Sequence, residues 1–333
     1  MPIQSRRDFL RVSLVLAGLG LLTGCELPSL PWRQPSRVHR VGYLMSAAPS
    51  PTTDALLAAF RQGLHDLGYV EGQDLLVEAR RSTVTDQYAE PVAELMSLQP
   101  EAIVVAAVVE ARAVQAATST IPIVSAGVGD LVTGGLAANL ARPGGNVTGL
   151  STPILAIKQL QLLKEAVPTL TRVAVMIDAA RVADFEEEAH DAAAHSLGLQ
   201  LQVVGVDGTG GLEAFFETAL RGRADGIYLA PVPFTTINQA RIAELAIRHR
   251  LPAIAQQSDA ASLGQLMAYG PNRLDLYRRA ATYVDKIIKR AKPGDIPIEQ
   301  PTKFDFGINL KTAQSLGLTI PASVLQQATE VLQ

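Results

Sequence analysis

The chain has 333 residues, 48% of them hydrophobic and 18% charged, a balance that excludes a disordered chain and favours two lobes over one core. Its net charge is -3, so no basic surplus exists to neutralise phosphates, and nucleic acid is not expected as a partner. Aromatic residues make up 5%, too few for a large stacking platform, and the lone cysteine, Cys25, can form neither an internal disulfide nor a paired-cysteine metal clamp.

The first residues read as an address. A basic start, Arg6-Arg7 with Phe9-Leu10 behind it, leads into an apolar stretch from Val12 to Leu22 and then Thr23-Gly24-Cys25. The stretch is about half the ~20 residues a membrane span needs. Residues 1–24 are therefore expected to be an export signal. The arginine pair resembles a twin-arginine signal, and Leu22-Thr23-Gly24-Cys25 resembles a bacterial lipobox with Cys25 as the lipidated residue. Residues 25–37 hold Pro28, Pro31 and Pro35 and little periodicity, as a tether does. The expected location is the periplasm or cell envelope, with Cys25 holding the chain to a membrane. ATP and nicotinamide cofactors are scarce there, and no cofactor is expected.

From Val38 onward, strand-like and helix-like segments alternate. Val41 to Met45 predicts a buried strand. Thr53 to Leu67 carries Leu56, Leu57, Phe60, Leu64 and Leu67 at helical spacing, with Gly68 as its stop. Leu75 to Ala79 predicts a strand, Gln87 to Leu98 a helix, and the apolar run Ala102 to Val109 a strand buried on both faces. Glu110 to Thr118 follows as a helix, then strands over Ile121 to Ala126 and Asn146 to Ser151. The alternation restarts with helices over Ile154 to Val167, Asp184 to Leu197, Leu212 to Arg221 and Ala240 to Arg250. Strands are predicted between and after them over Arg172 to Ile177, Gln200 to Val206, Gly226 to Leu229 and Pro252 to Ala255. The fold class expected is α/β, with two doubly wound parallel-sheet lobes, each a helix–sheet–helix sandwich. The last part departs from alternation. It offers a long amphipathic helix over Leu274 to Arg290, a strand over Lys303 to Leu310, and helices over Thr312 to Leu316 and Ala322 to Glu330. Residues 38–150 with about 271–333 are expected to form lobe 1 and a strap between lobes, and residues 151–270 lobe 2.

Several collinear segments carry a family resemblance. They are Phe60-Arg61-Gln62-Gly63-Leu64 with Leu67-Gly68-Tyr69-Val70-Glu71-Gly72, and Gly129-Asp130 with Ala141-Arg142-Pro143-Gly144-Gly145-Asn146-Val147-Thr148-Gly149. Further along come Tyr269-Gly270-Pro271-Asn272, Tyr277-Arg278-Arg279-Ala280-Ala281, Gln300-Pro301-Thr302-Lys303-Phe304, Asn309-Leu310-Lys311-Thr312-Ala313 and Leu316-Gly317-Leu318. Together they resemble the ABC-transporter substrate-binding family related to binders of tryptophan and aromatic amino acids. The resemblance implies a type I periplasmic-binding-protein fold: two lobes, three crossings and a ligand cleft between them. It also implies a small-molecule solute and, as partner, an ABC permease with its ATPase. Three places depart from relatives: Ala107-Val108, Ala230-Pro231-Val232-Pro233-Phe234 and Gln256-Gln257-Ser258-Asp259. A relative's ligand is therefore not transferred.

In open α/β sheets, ligands bind beyond the carboxyl ends of the strands. That rule singles out Ser46, Val108, Gly129, Asp130, Asp178, Phe234 and Gln257 as candidate ligand-binding residues. Ser46 is a candidate donor to a ligand carboxylate, or a turn residue bonding its own backbone. Asp130 and Asp178 are candidates for a ligand ammonium, or caps of the turns that follow. Phe234 either stacks on a ligand or packs between lobes, and Gln257 is a candidate hydrogen-bonding amide.

Enzyme signatures fail on inspection. Gly127-Val128-Gly129-Asp130-Leu131-Val132 lacks the third glycine of a dinucleotide loop and follows the wrong strand. His190 and His195 sit about 140° apart around a helix, which is no metal pair. No catalytic residue and no metal site is assigned. A ligand-sensing module for a membrane signalling protein uses the same parts. A DNA-binding repressor would need a helix-turn-helix where the export signal stands.

Overall fold

The computed structural model describes residues 38–46, 51–82, 87–127, 129–153, 155–179, 182 and 187–333. The expected export signal, the tether and Cys25 lie outside the described residues.

The first half alternates β1 (His39–Met45), α1 (Pro51–Asp66), β2 (Leu75–Arg81), α2 (Ala89–Ser97), β3 (Ala102–Val105), α3 (Val108–Ala117), β4 (Ile123–Ala126) and β5 (Val147–Leu150). Its strands form one parallel sheet in the order β2-β1-β3-β4-β5. Alternation along a strand sends successive side chains to opposite faces, and β3 obeys it. Ala102 and Val104 join one core with Phe60 and Leu64 of α1, while Ile103 and Val105 join another with Leu95 of α2 and Val114 of α3. An all-apolar strand is thus the signature of a sheet covered on both sides.

The second half runs α4 (Ala156–Ala166), β6 (Arg172–Asp178), α5 (Glu187–Ser196), β7 (Gln200–Val206), α6 (Leu212–Arg221), β8 (Gly226–Leu229), α7 (Pro233–Ile237), α8 (Gln239–His249), β9 (Ala253–Ala255) and β10 (Met267–Pro271). After α9 (Arg273–Ile288) come β11 (Phe304–Asn309), α10 (Leu310–Ser315), α11 (Ala322–Leu325) and β12 (Glu330–Leu332). The second sheet has the order β12-β11-β10-β9-β8-β6-β7. It too is buried on both faces: Val173, Val175 and Ile177 of β6 face one core, Ala174 and Met176 the other. The fold is α/β with two doubly wound sheets. β11 runs antiparallel to β10, so the second sheet gains a mixed edge.

The structure departs from the expected elements in several places. The strand expected over Ala102 to Val109 ends at Val105, because Glu110 reaches back to accept from the amides of Ala106 at 2.5 Å and Ala107 at 3.1 Å and starts the helix early. Strand β10 is additional. The helix expected over Ala322 to Glu330 is one turn, after which Thr329 donates its amide to the Phe306 carbonyl at 2.9 Å and β12 pairs with β11. The segment from about residue 271 to 333 is divided between the halves. Helix α9 packs on α1 in the first, with Leu276, Tyr277, Ala280 and Ala281 in that core, whereas β11, α10, α11 and β12 complete the second. Gly63 permits the close α1–α9 approach, since a Cβ there would lie 2.4 Å from the Arg278 carbonyl oxygen.

The chain passes between the sheets three times: after β5, at Asn272 between β10 and α9, and before β11. The passages are tied side by side. The Ser151 amide donates to the Glu299 carbonyl at 2.9 Å, and the Glu299 amide to the Gly149 carbonyl at 3.1 Å. Asn272 caps α9 through the Asp275 amide at 2.8 Å and donates its side-chain amide to Asp305 at 2.8 Å. The passages after β5 and at Asn272 are short.

Candidate functional site

A cavity of about 410 Å³ lies between the carboxyl ends of the two sheets. That size is ordinary for a small-molecule site. One wall comes from the first half: Met45 and Ser46 at the end of β1, Thr52, Thr53 and Leu56 of α1, Ala106 and Ala107 after β3, and Glu110 of α3. The other comes from the second half: Pro231 and Val232 after β8, then Thr236, Gln239 and Gln257. Arg273 and Tyr277, just past the middle passage, close one side, with Asp259 facing Arg273. The lining is mainly apolar with a few polar groups set into it, the composition typical of a solute pocket.

The first wall carries a buried polar chain. Ser46 donates its hydroxyl to Oε1 of Glu110 and lies 2.8 Å from the Tyr88 hydroxyl. Glu110 is fully buried. Burial pushes its carboxyl up to about 7, against the stabilising hydrogen bonds from Ser46 and the amides of Ala106 and Ala107. No ion pair to Glu110 occurs among the described residues.

The second wall is an amide ladder without charge. Gln257 donates to the Thr236 hydroxyl at 2.8 Å and accepts from Gln239 at 3.0 Å. Gln265 in turn donates to the Gln239 carbonyl at 3.0 Å. The side-chain oxygen of Gln239 is buried without a partner among the described residues, an acceptor at the cavity edge.

Arg273 pairs with Asp259 at 3.3 Å. The arginine stands at the first position of α9, where a cation opposes the helix dipole.

The structure brings Ser46 and Gln257 to the cavity and sets the other sequence candidates away from its lining. Val108 opens α3, and its methyls pack where a Cβ on Gly129 or Gly134 would stand. Asp130 accepts from the amides of Val132 at 2.8 Å and Thr133 at 3.2 Å, so its carboxylate caps the turn. Asp178 ends β6. Phe234 is buried in a core with Phe216 and Ile242, away from the lining. Sequence reasoning missed Glu110, Arg273, Asp259 and Gln239. For Glu110 the available signal was a lone charge inside the otherwise apolar run from Ala102 to Ala111. Among the described residues no cluster of three or more His, Cys, Asp or Glu side chains is placed to hold a metal, and no helix is long and apolar enough to cross a membrane.

Comparison with known proteins agrees with this architecture. A family model described as ABC transporter substrate binding protein matches residues 46–332. A tyrosine-binding protein of Clostridioides difficile is 23% identical over 319 residues, covering 92% of each chain. A crystal structure of an ABC domain in complex with L-Trp from Streptococcus pneumonia superposes with a TM-score of 0.81 at 24% identity, over 89% of this chain and 100% of that one. A leucine binding protein, LivK, from Thermotoga maritima shares the fold more distantly, with a TM-score of 0.57 at 14% identity over 84% and 87% of the two chains.

Proposed function

This chain belongs to the ABC transporter substrate-binding protein family, and from that premise we propose that it is the receptor for an amino acid with an apolar side chain. The observation that carries the reading is the cavity shared by both halves, apolar over most of its lining, with Arg273 at its edge. A guanidinium has five N–H donors, so one that bonds Asp259 and Tyr277 keeps donors for a solute carboxylate. The apolar surface of Met45, Leu56 and Val232 takes the side chain. Relatives named for tyrosine and solved with L-Trp support this solute class.

The two halves act as lobes on the three tied passages. A solute touching both walls favours the closed arrangement, because only differential contact shifts such an equilibrium. The closed form hands its solute to a membrane permease. The leader directs export, and Cys25 carries the lipid that keeps the receptor at the membrane.

Isothermal titration of the purified chain with L-tryptophan, L-tyrosine, L-leucine and L-glutamate tests the solute class. Micromolar or tighter binding of one of the first three, with none of glutamate, is the expected result. Binding of glutamate alone, or of no amino acid, overturns it. Metabolic labelling with a fatty acid, lost in Cys25→Ser, tests the anchor.

A further inference from the structure

The only ionisable group within the first wall's hydrogen-bonded chain that carries charge near neutrality is Glu110, and it does not open directly onto solvent. Ser46, hydrogen-bonded to it, lines the cavity beside it. A serine hydroxyl has one hydrogen to give and two lone pairs. With Glu110 ionised, that hydrogen goes to Oε1. The contact with Tyr88 at 2.8 Å then has the tyrosine as donor, which uses one lone pair. Ser46 therefore offers the cavity only its remaining lone pair, an acceptor.

Protonation reverses this. The amides of Ala106 and Ala107 both donate to Oε2, so an added proton belongs on Oε1. There it donates to Ser46, whose two lone pairs are now taken by Glu110 and Tyr88. The serine hydrogen is released toward the cavity, and Ser46 becomes a donor. The proton enters along the Ser46 hydroxyl itself.

We propose that Glu110 is a positioning residue that sets the hydrogen-bonding polarity of Ser46, so that the cleft receives a cationic nitrogen of its solute when Glu110 is ionised and rejects it when Glu110 is protonated. The inference rests on the amino-acid reading, and adds the place of the ammonium group, at Ser46. Formal charge agrees. Among the described lining residues Arg273 and Asp259 cancel, which leaves the ionised Glu110 uncompensated. A buried charge without a partner is costly, and a solute ammonium supplies the partner. The other titratable groups facing Glu110 are Tyr43 on β1 and Tyr277 on α9, with Tyr88 reached through Ser46. Burial raises both Tyr43 and Tyr277 above the ordinary tyrosine value, so they stay neutral while Glu110 titrates in the region of pH 7.

The experiment uses L-tyrosine and its two halves: tyramine, which keeps the ammonium, and 3-(4-hydroxyphenyl)propionate, which keeps the carboxylate. Titrations of the purified chain at about pH 5.5 and about pH 8.5 bracket the Glu110 range, within which neither probe changes its own charge. Tyramine is expected to bind roughly 10-fold tighter at the higher pH, the size of one charge-assisted hydrogen bond gained. Glu110→Gln places an amide N–H toward Ser46 and so imitates the protonated acid. In that variant the tyramine preference disappears while the propionate still binds. A tyramine affinity that is flat with pH in the native chain, or one that keeps its pH dependence in Glu110→Gln, overturns the proposal. An infrared titration without solute separates this from the solute-class reading. A buried carboxylic-acid band should appear as pH falls through about 7, be absent in Glu110→Gln and shift in frequency in Ser46→Ala. If that band behaves so but no amino acid binds, the solute class is wrong and the Glu110–Ser46 coupling stands. If no such band titrates, the coupling is wrong whatever the chain binds.

Discussion

The two walls of the cleft occupy equivalent places, each at the carboxyl end of a parallel sheet, yet they solve the problem of buried polarity differently. The first uses a chain ending in a carboxylate, from Tyr88 through Ser46 to Glu110. The second uses neutral amides and a hydroxyl, from Thr236 through Gln257 to Gln239. An amide ladder satisfies most of its atoms at any pH, and is indifferent to protons. A carboxylate chain holds a group whose charge is costly to bury, and so couples the site to pH. The lesson is that fold symmetry fixes where polar groups stand, while side-chain identity decides which wall responds to its surroundings.

The largest effect expected is at the ion pair that joins the walls. Arg273→Met keeps the length of the side chain and removes its charge. Solute affinity should fall by about 3 to 4 kcal/mol, several hundred-fold, since one partner of a partly buried charged contact is lost. The melting temperature should move much less than affinity. Equal losses in both would make Arg273 a structural strut rather than a solute contact.

Next is Glu110 as a burden on stability. Its folded pKa lies above the ordinary carboxylate value, so the folded chain binds more protons than the unfolded one between roughly pH 4.5 and about 7. Stability must therefore fall as pH rises through that window and stay lowered above it. With a shift of this size the burden is about 3 kcal/mol above pH 7. Glu110→Gln should melt several degrees above the native chain at pH 8 and close to it near pH 4.5. A variant that melts lower at both values would show that the charge is compensated in the native cleft without solute.

The second wall should respond in the opposite manner. Gln257→Leu strands the Gln239 side-chain amide and removes one donor to the Thr236 hydroxyl, which keeps its bond to the Val232 carbonyl, and should cost about 1 to 3 kcal/mol at every pH. Melting curves at pH 5 and pH 8 check this. A cost that changes with pH would break the contrast between the walls.

The sheets were legible in the sequence because their signal is redundant. A strand such as Ala102–Val105, apolar at every position, needs no knowledge of its partners. β10 was hidden because Gly270 and Pro271 carry turn chemistry inside a strand. The site was less legible for a different reason. The strand-end rule singles out Ser46 and Gln257, which line the cavity, but Glu110 and Arg273 sit on helices and reach it only through tertiary placement. Glu110 also ends a strand early by capping it, a local act with no periodic trace. The rule equally drew in Phe234, whose position after β8 is right and whose direction, into the core, depends on the one-turn helix α7 that follows Pro233.

Phe234 sharpens the comparison with the smallest expected effect. The residue is 3% exposed and packs in a core with Phe216 and Ile242 of the second half. Phe234→Leu removes part of that apolar surface without touching the lining of the cavity. The cost should be about 1 kcal/mol of stability, from lost burial offset by partial collapse of the space left. Solute affinity should be unchanged within twofold, because a binding constant senses only what differs between free and occupied forms. If affinity fell more than stability, the core behind the second wall would itself shift on binding. The wall of amides would then be the moving part of the cleft, and its indifference to pH would not extend to solute.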